Sequence, residues 1–134
     1  MKKKTFEDLC RLAEKLRSDT GCPWDRTQTV SSMLECVDEE ADEVCGAIKK
    51  EDYENLEEEL GDLLFQIIMI SQIAKENGHF NIDGVIAAIE NKIISRHTWV
   101  FGKDKAETPD EAIAMWKENK RILAEQKSKN GRKK

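Results

Sequence analysis

Apolar residues recur at intervals of three and four along most of the chain, and no stretch alternates apolar with polar. The first periodic stretch carries Phe6, Leu9, Ala13 and Leu16 on one face, with Thr5 placed to cap it. Gly21-Cys22-Pro23-Trp24-Asp25 breaks the pattern and predicts a loop. A second helix is expected from about Val30 to Lys50, with Met33, Leu34, Val37, Val44 and Ile48 among its apolar positions. A third runs from about Tyr53 to Asn77, through Leu56, Leu60, Leu63, Ile67, Ile70 and Ala74, and stops at Asn77-Gly78. Asn81 can cap a fourth, with Ile82, Val85, Ile86, Ile89 and Ile93 on one face. Thr108-Pro109-Asp110-Glu111 reads as cap, first helical residue and capping-box acid of a fifth, which carries Ile113, Trp116, Ile122 and Leu123. The expected fold is an all-α bundle of about five helices.

Composition supports that expectation and limits the size of the core. The chain has 134 residues, with only 7 Gly and 2 Pro, so a turn-rich β-sandwich or a collagenous chain is excluded. Charged residues make up 37% and hydrophobic residues 39%. This length suits one domain, expected over residues 1–125. A core this modest is expected to be completed by a second subunit in a homodimer. Residues 126–134 contain no apolar side chain and are expected to form a basic, disordered tail, solvated rather than bound to nucleic acid.

No apolar run approaches the roughly 18 residues of a membrane span. Met1-Lys2-Lys3-Lys4 is basic but is not followed by a signal-like apolar region. The cysteines, Cys10, Cys22, Cys36 and Cys45, form no C-x-x-C pair and read as free thiols rather than a structural zinc site. A cytoplasmic address is expected.

Charge is distributed unevenly. Residues 35–62 hold thirteen acids against Lys49 and Lys50, whereas residues 117–134 hold eight bases against two acids. Glu40 and Glu43 are three apart, Glu39 and Glu43 four apart, and Glu59 and Asp62 three apart. Each pair therefore shares a helix face. A short link near residues 50–53 folds the second and third helices antiparallel, so the pairs can face each other. Clustered carboxylates repel one another, and a hard divalent cation with oxygen ligands, Mg²⁺ or Mn²⁺, relieves that repulsion. The competing possibility is a solvated acidic face. A di-iron site fails because only Glu76-x-x-His79 has the required spacing and Gly78 interrupts it.

Longer motifs sharpen this picture: C-P-W-D at Cys22–Asp25, E-E-A-D-E at Glu39–Glu43, E-E-L-G-D-L-L-F-Q at Glu58–Gln66, and K-I-I-S-R-H at Lys92–His97 leading to V-F-G at Val100–Gly102. With these the chain resembles the MazG type of all-α nucleoside triphosphate pyrophosphohydrolases over roughly residues 6–121. The resemblance implies Mg²⁺-dependent cleavage between the α and β phosphates, giving a nucleoside monophosphate and pyrophosphate, with broad base specificity. It implies Glu40, Glu43, Glu59 and Asp62 as metal ligands, Lys92 and Arg96 as phosphate contacts, and Trp116 and Lys120 as residues that hold the nucleotide. It also implies a helical homodimer.

The individual residues are compatible with those roles. Lys92 and Arg96 are four apart and form one basic edge, which alone would read as a salt-bridge edge. Trp116 and Lys120 are also four apart, and Trp116 can serve as core, as a nucleotide platform, or as both. Glu39 is the candidate general base by elimination, with Glu40 and Glu43 able to share the role. Two alternatives stay open: a narrower relative acting on dUTP, dCTP or phosphoribosyl-ATP, and a non-catalytic helical dimerisation module.

Overall fold

The computed structural model describes residues 2–132, and every regular element among them is helical. In chain order they are α1 (Phe6–Leu16), α2 (Pro23–Thr27), a 3₁₀ turn (Ser31–Met33), α3 (Leu34–Lys49), α4 (Tyr53–Glu76), α5 (Ile82–Arg96), α6 (Thr98–Phe101) and α7 (Pro109–Arg132). The five long helices lie where the periodicity places them. α2 and α6 are additions of about one turn each: α2 starts within the stretch expected to be a loop, and α6 lies between the fourth and fifth expected helices. Pro23 sets the first turn of α2, where a missing N–H costs nothing. The Val100 and Phe101 amides donate hydrogen bonds to the His97 carbonyl, at 2.9 and 3.0 Å, and close α6.

The helix ends use local chemistry. At α1 the Thr5 hydroxyl accepts from the Asp8 amide at 3.2 Å, and the Asp8 carboxylate accepts from the Thr5 amide at 2.9 Å. Asp52 caps α4 through the Asn55 amide, and Asn81 takes the Gly84 amide at the start of α5. Thr108 caps α7 by accepting from Glu111 at 3.2 Å, but the Glu111 carboxylate takes the Glu107 amide rather than that of Thr108. α4 stops at Asn77-Gly78, where Gly78 has φ +75°, a region open to glycine at little cost.

The chain divides into two compact units, up to Val85 and from Ile86 onward. In the first unit α3 and α4 form an antiparallel hairpin and α1 packs on α4. Its core is Ala13, Met33, Ile68, Met69 and Ile73, flanked by Leu9, Leu16, Cys36 and Phe65. The apolar stripe Leu60, Leu64 and Ile67 of α4 remains exposed. In the second unit α6 packs on α7, and Ile86, Ile89, Ile93 and Ile94 of α5 are all at least 41% exposed. α7 continues to Arg132, past Gln126, where the tail was expected to begin. The last two residues of that expected tail, 133 and 134, lie outside the described residues. All four cysteines are free, and no helix among the described residues is long and apolar enough to cross a membrane.

Candidate functional site

The antiparallel hairpin brings carboxylates of α3 and α4 together. Glu40, Glu59 and Asp62 each offer an oxygen within 4.8 Å of the others. Glu40 and Glu59 are half-buried and Asp62 is exposed. The local cause is helical spacing: Glu59 and Asp62 share one face of α4, and Glu40 is on the α3 face packed toward it. Glu43, on the same side of α3, is exposed and is not one of the three. It lines a neighbouring surface cleft with Asp42, Gly46 and Asn55. Glu39 is exposed.

Electrostatics show that these acids act on one another. Burial pushes the Glu40 carboxyl above its ordinary range, and the charges of Asp62, Glu43 and Glu39 add to the effect. Burial likewise raises Glu59, with further contributions from Glu43, Asp62, Glu40 and Glu58. Glu43 is thus electrostatically part of the cluster although its oxygens stand outside the trio. The donors are all carboxylate oxygens, they converge, and no lysine or arginine of the described residues pairs with them. This donor set fits a hard divalent cation such as Mg²⁺ or Mn²⁺.

The second unit holds the basic residues. Lys92 and Arg96 of α5 and Lys120 of α7 line one cleft of ≈ 430 Å³, together with Asn91, Ser95 and Lys127. The Arg96 guanidinium lies 5.0 Å from the centre of the Trp116 ring, and the Lys120 ammonium 5.3 Å from it. Trp116 is therefore neither simply core nor a free platform; it is a half-buried aromatic that holds two cations against its ring. Asn119 fastens the end of α5 beside α7, donating to the Arg96 carbonyl at 3.1 Å and to the Thr98 hydroxyl at 2.8 Å. His97 is occupied structurally: its Nδ1 lies 2.7 Å from the Ile93 carbonyl, and its ring lies 4.8 Å from that of Trp99.

Two polar residues of these regions were given no role on the sequence alone. Lys127 lies in the segment expected to be a disordered tail, yet it lines the basic cleft. The signal was its seven-residue spacing from Lys120, which helical continuation would place on the same face. Gln66, four residues beyond Asp62, has a buried side-chain oxygen without a hydrogen-bond partner.

Comparison with known proteins converges on one family. Residues 28–101 match the family model described as the MazG nucleotide pyrophosphohydrolase domain. The chain is 39% identical over 126 residues to the nucleoside triphosphate pyrophosphohydrolase of Escherichia coli K12, covering 93% of this chain and 48% of that protein. It is 40% identical over 124 residues to the nucleoside triphosphate pyrophosphohydrolase/pyrophosphatase MazG of Thermotoga maritima, covering 92% of this chain and 46% of that one. The chain thus spans about half the length of these curated relatives. A crystal structure of a mazG-related protein from Thermotoga maritima superimposes with a TM-score of 0.72 at 33% identity, covering 86% of this chain and 98% of that one.

Proposed function

Because the chain belongs to the MazG nucleotide pyrophosphohydrolase family, we propose that it hydrolyses nucleoside triphosphates, ribo and deoxy, between the α and β phosphates. The products are a nucleoside monophosphate and pyrophosphate, and base specificity is broad. The observation that carries this reading is the convergence of Glu40, Glu59 and Asp62 within 4.8 Å of one another. In this proposal those three hold Mg²⁺ or Mn²⁺, and Glu43, whose charge reaches both Glu40 and Glu59, completes the ligand set. When bound, the ion supplies positive charge to the triphosphate and lowers the pKa of a coordinated water.

The chain's own side chains supply the rest. Lys92 and Arg96 bind phosphate oxygens, and Arg96 can do so through two parallel N–H bonds. Trp116 keeps the Arg96 and Lys120 cations in place, so that they spend less conformational freedom on substrate. Glu39 takes the proton from the attacking water as its oxygen bonds to phosphorus. The bridging P–O bond then breaks, and pyrophosphate leaves with the bond's electron pair. Glu40 and Glu43 are the alternative bases.

A second copy of the chain belongs to this proposal. The stripes Leu60, Leu64, Ile67 and Ile86, Ile89, Ile93 have the spacing of core positions but stay exposed. A homodimer would cover them. Four free cysteines suit a reducing, cytoplasmic address.

A panel of ribo- and deoxynucleoside triphosphates, with Mg²⁺ and with chelator, tests the proposal. Turnover of several bases that needs the ion and is lost in Asp62→Asn supports it. Turnover that survives chelation, or that is unchanged in Asp62→Asn, overturns the metal assignment. Cleavage of a single nucleotide overturns broad specificity.

A further inference from the structure

The basic cleft extends beyond the residues assigned so far. On α7 its lining follows Lys120, Leu123, Ala124 and Lys127, spacings of three, one and three that define a single helix face. On α5 it follows Lys92, Ser95 and Arg96. Four cations therefore line one groove, and no acid lines it. The acids of this stretch of α7 are engaged elsewhere: Glu118 and Glu125 both pair with Arg121, at 2.5 and 2.6 Å. Among the described residues none of Lys92, Arg96, Lys120 and Lys127 has a carboxylate within ion-pair distance. The buried Nε of Arg96 also lacks a hydrogen-bond partner. A folded unit that gathers four like charges and diverts its acids pays in self-repulsion, which a polyanion would relieve.

The dimensions of the row indicate which polyanion. Lys120 and Lys127 are seven residues apart, about 10 Å along the helix axis. A chain of linked phosphates can meet both ends of such a row with the lysines extended, whereas a single phosphate reaches both only if the two side chains bend toward each other. We propose that Lys127 is a further phosphate-binding residue, which extends the cleft of Lys92, Arg96 and Lys120 so that it selects linked phosphates, triphosphate and pyrophosphate, over a monophosphate. This inference rests on the proposed hydrolysis for its biological meaning, but the anion selectivity of the cleft can be measured without any reaction. Lys127 contributes binding and not chemistry, so its loss should raise KM and leave kcat nearly unchanged.

Calorimetric titration of the full chain with inorganic tripolyphosphate, pyrophosphate and adenosine monophosphate, in chelator-treated buffer, separates the cleft from any metal-mediated binding. Wild-type protein should prefer the linked phosphates. Lys127→Gln should weaken them by about tenfold, the value of one charge-assisted contact, and leave the monophosphate unchanged. Lys127→Arg should restore binding. Lys117→Gln removes the same charge from the same helix outside the cleft and should have little effect; circular dichroism confirms that each variant remains helical. Equal affinity of wild type and Lys127→Gln for tripolyphosphate overturns the inference, as does an equal loss in Lys117→Gln or no binding by wild type. The two proposals fail separately: nucleotide turnover with a silent Lys127→Gln overturns only this inference. Lysine-dependent polyphosphate binding without any turnover overturns only the hydrolase reading.

Discussion

Replacing Arg17 with methionine should cost the protein far more than removing its salt-bridge partner. Arg17 ends α1 with its side chain 9% exposed, and its guanidinium joins three segments. Nε and Nη2 donate to the two carboxylate oxygens of Glu76 at 2.9 and 3.0 Å, while Nη1 donates to the carbonyls of Asp25 and Gln28. Glu76 is 38% exposed, so the ionic half of this clamp is screened and contributes about 1 kcal/mol or less. The carbonyl half has no replacement donor in Arg17→Met, and each orphaned acceptor costs about 1 kcal/mol at this partly wet site. The sum is about 3 kcal/mol, or about 10 °C in melting temperature for a chain of this size. Glu76→Gln should cost about 1 kcal/mol or less, because the carbonyl contacts survive. The Arg17 hydrogen bonds hold the Glu76 carboxyl below its ordinary range. Its contribution is therefore complete above the ordinary carboxylate pKa and is lost as pH falls through the lowered folded value. Thermal melts of wild type, Arg17→Met and Glu76→Gln at neutral and acid pH provide the assay. Equal losses in the two variants, or a Glu76→Gln deficit that grows on acidification, would refute the reasoning.

Three other outcomes follow from the same structure. Asp62→Asn should reduce turnover at least about a hundredfold; its melting point in chelator should be unchanged or raised, since one of three crowded charges is gone, and Mg²⁺ should no longer shift it. Because the carboxyls of Glu40 and Glu59 lie above their ordinary range, protons should compete with the ion at higher pH than at an isolated carboxylate; Mg²⁺ affinity by calorimetry should fall on acidification through that raised range, while the metal-free protein loses part of its charge repulsion there. Ile89→Glu, at a position 50% exposed in the single chain, should give a helical monomer by light scattering if a second copy covers α5, and should leave the oligomeric state unaltered if none does.

The features legible in the sequence were those encoded within one or two helical turns. Thr5, Asn81 and Thr108 announce helix starts because a cap is a contact over three residues. The juxtaposition of Glu40 with Glu59 and Asp62 needed only helical spacing and a short antiparallel link. Glu43 shows where spacing runs out: sharing a face of α3 with Glu40 does not place its oxygens within the trio. α2 and α6 were hidden because a single turn carries no periodicity. The isoleucines of α5 illustrate a different limit, since a pattern marks a face to be buried without saying which chain buries it. Lys127 was lost for the opposite reason: a segment without apolar residues has no amphipathic signal, yet α7 continues through it, first on Gln126 and Lys127, which tolerate helix well, and then past the poor helix formers Asn130 and Gly131. The contact of Trp116 with Lys120 is a local pair four residues apart, but that with Arg96 depends on a meeting of α5 and α7 that no local pattern specifies.

The bond that is broken tests the central claim most directly. A nucleoside triphosphate incubated with the protein and Mg²⁺, its products separated by ion-exchange chromatography, should yield nucleoside monophosphate and pyrophosphate in equal amounts from the first time point. Nucleoside diphosphate with orthophosphate would place the cut between the β and γ phosphates and contradict the account.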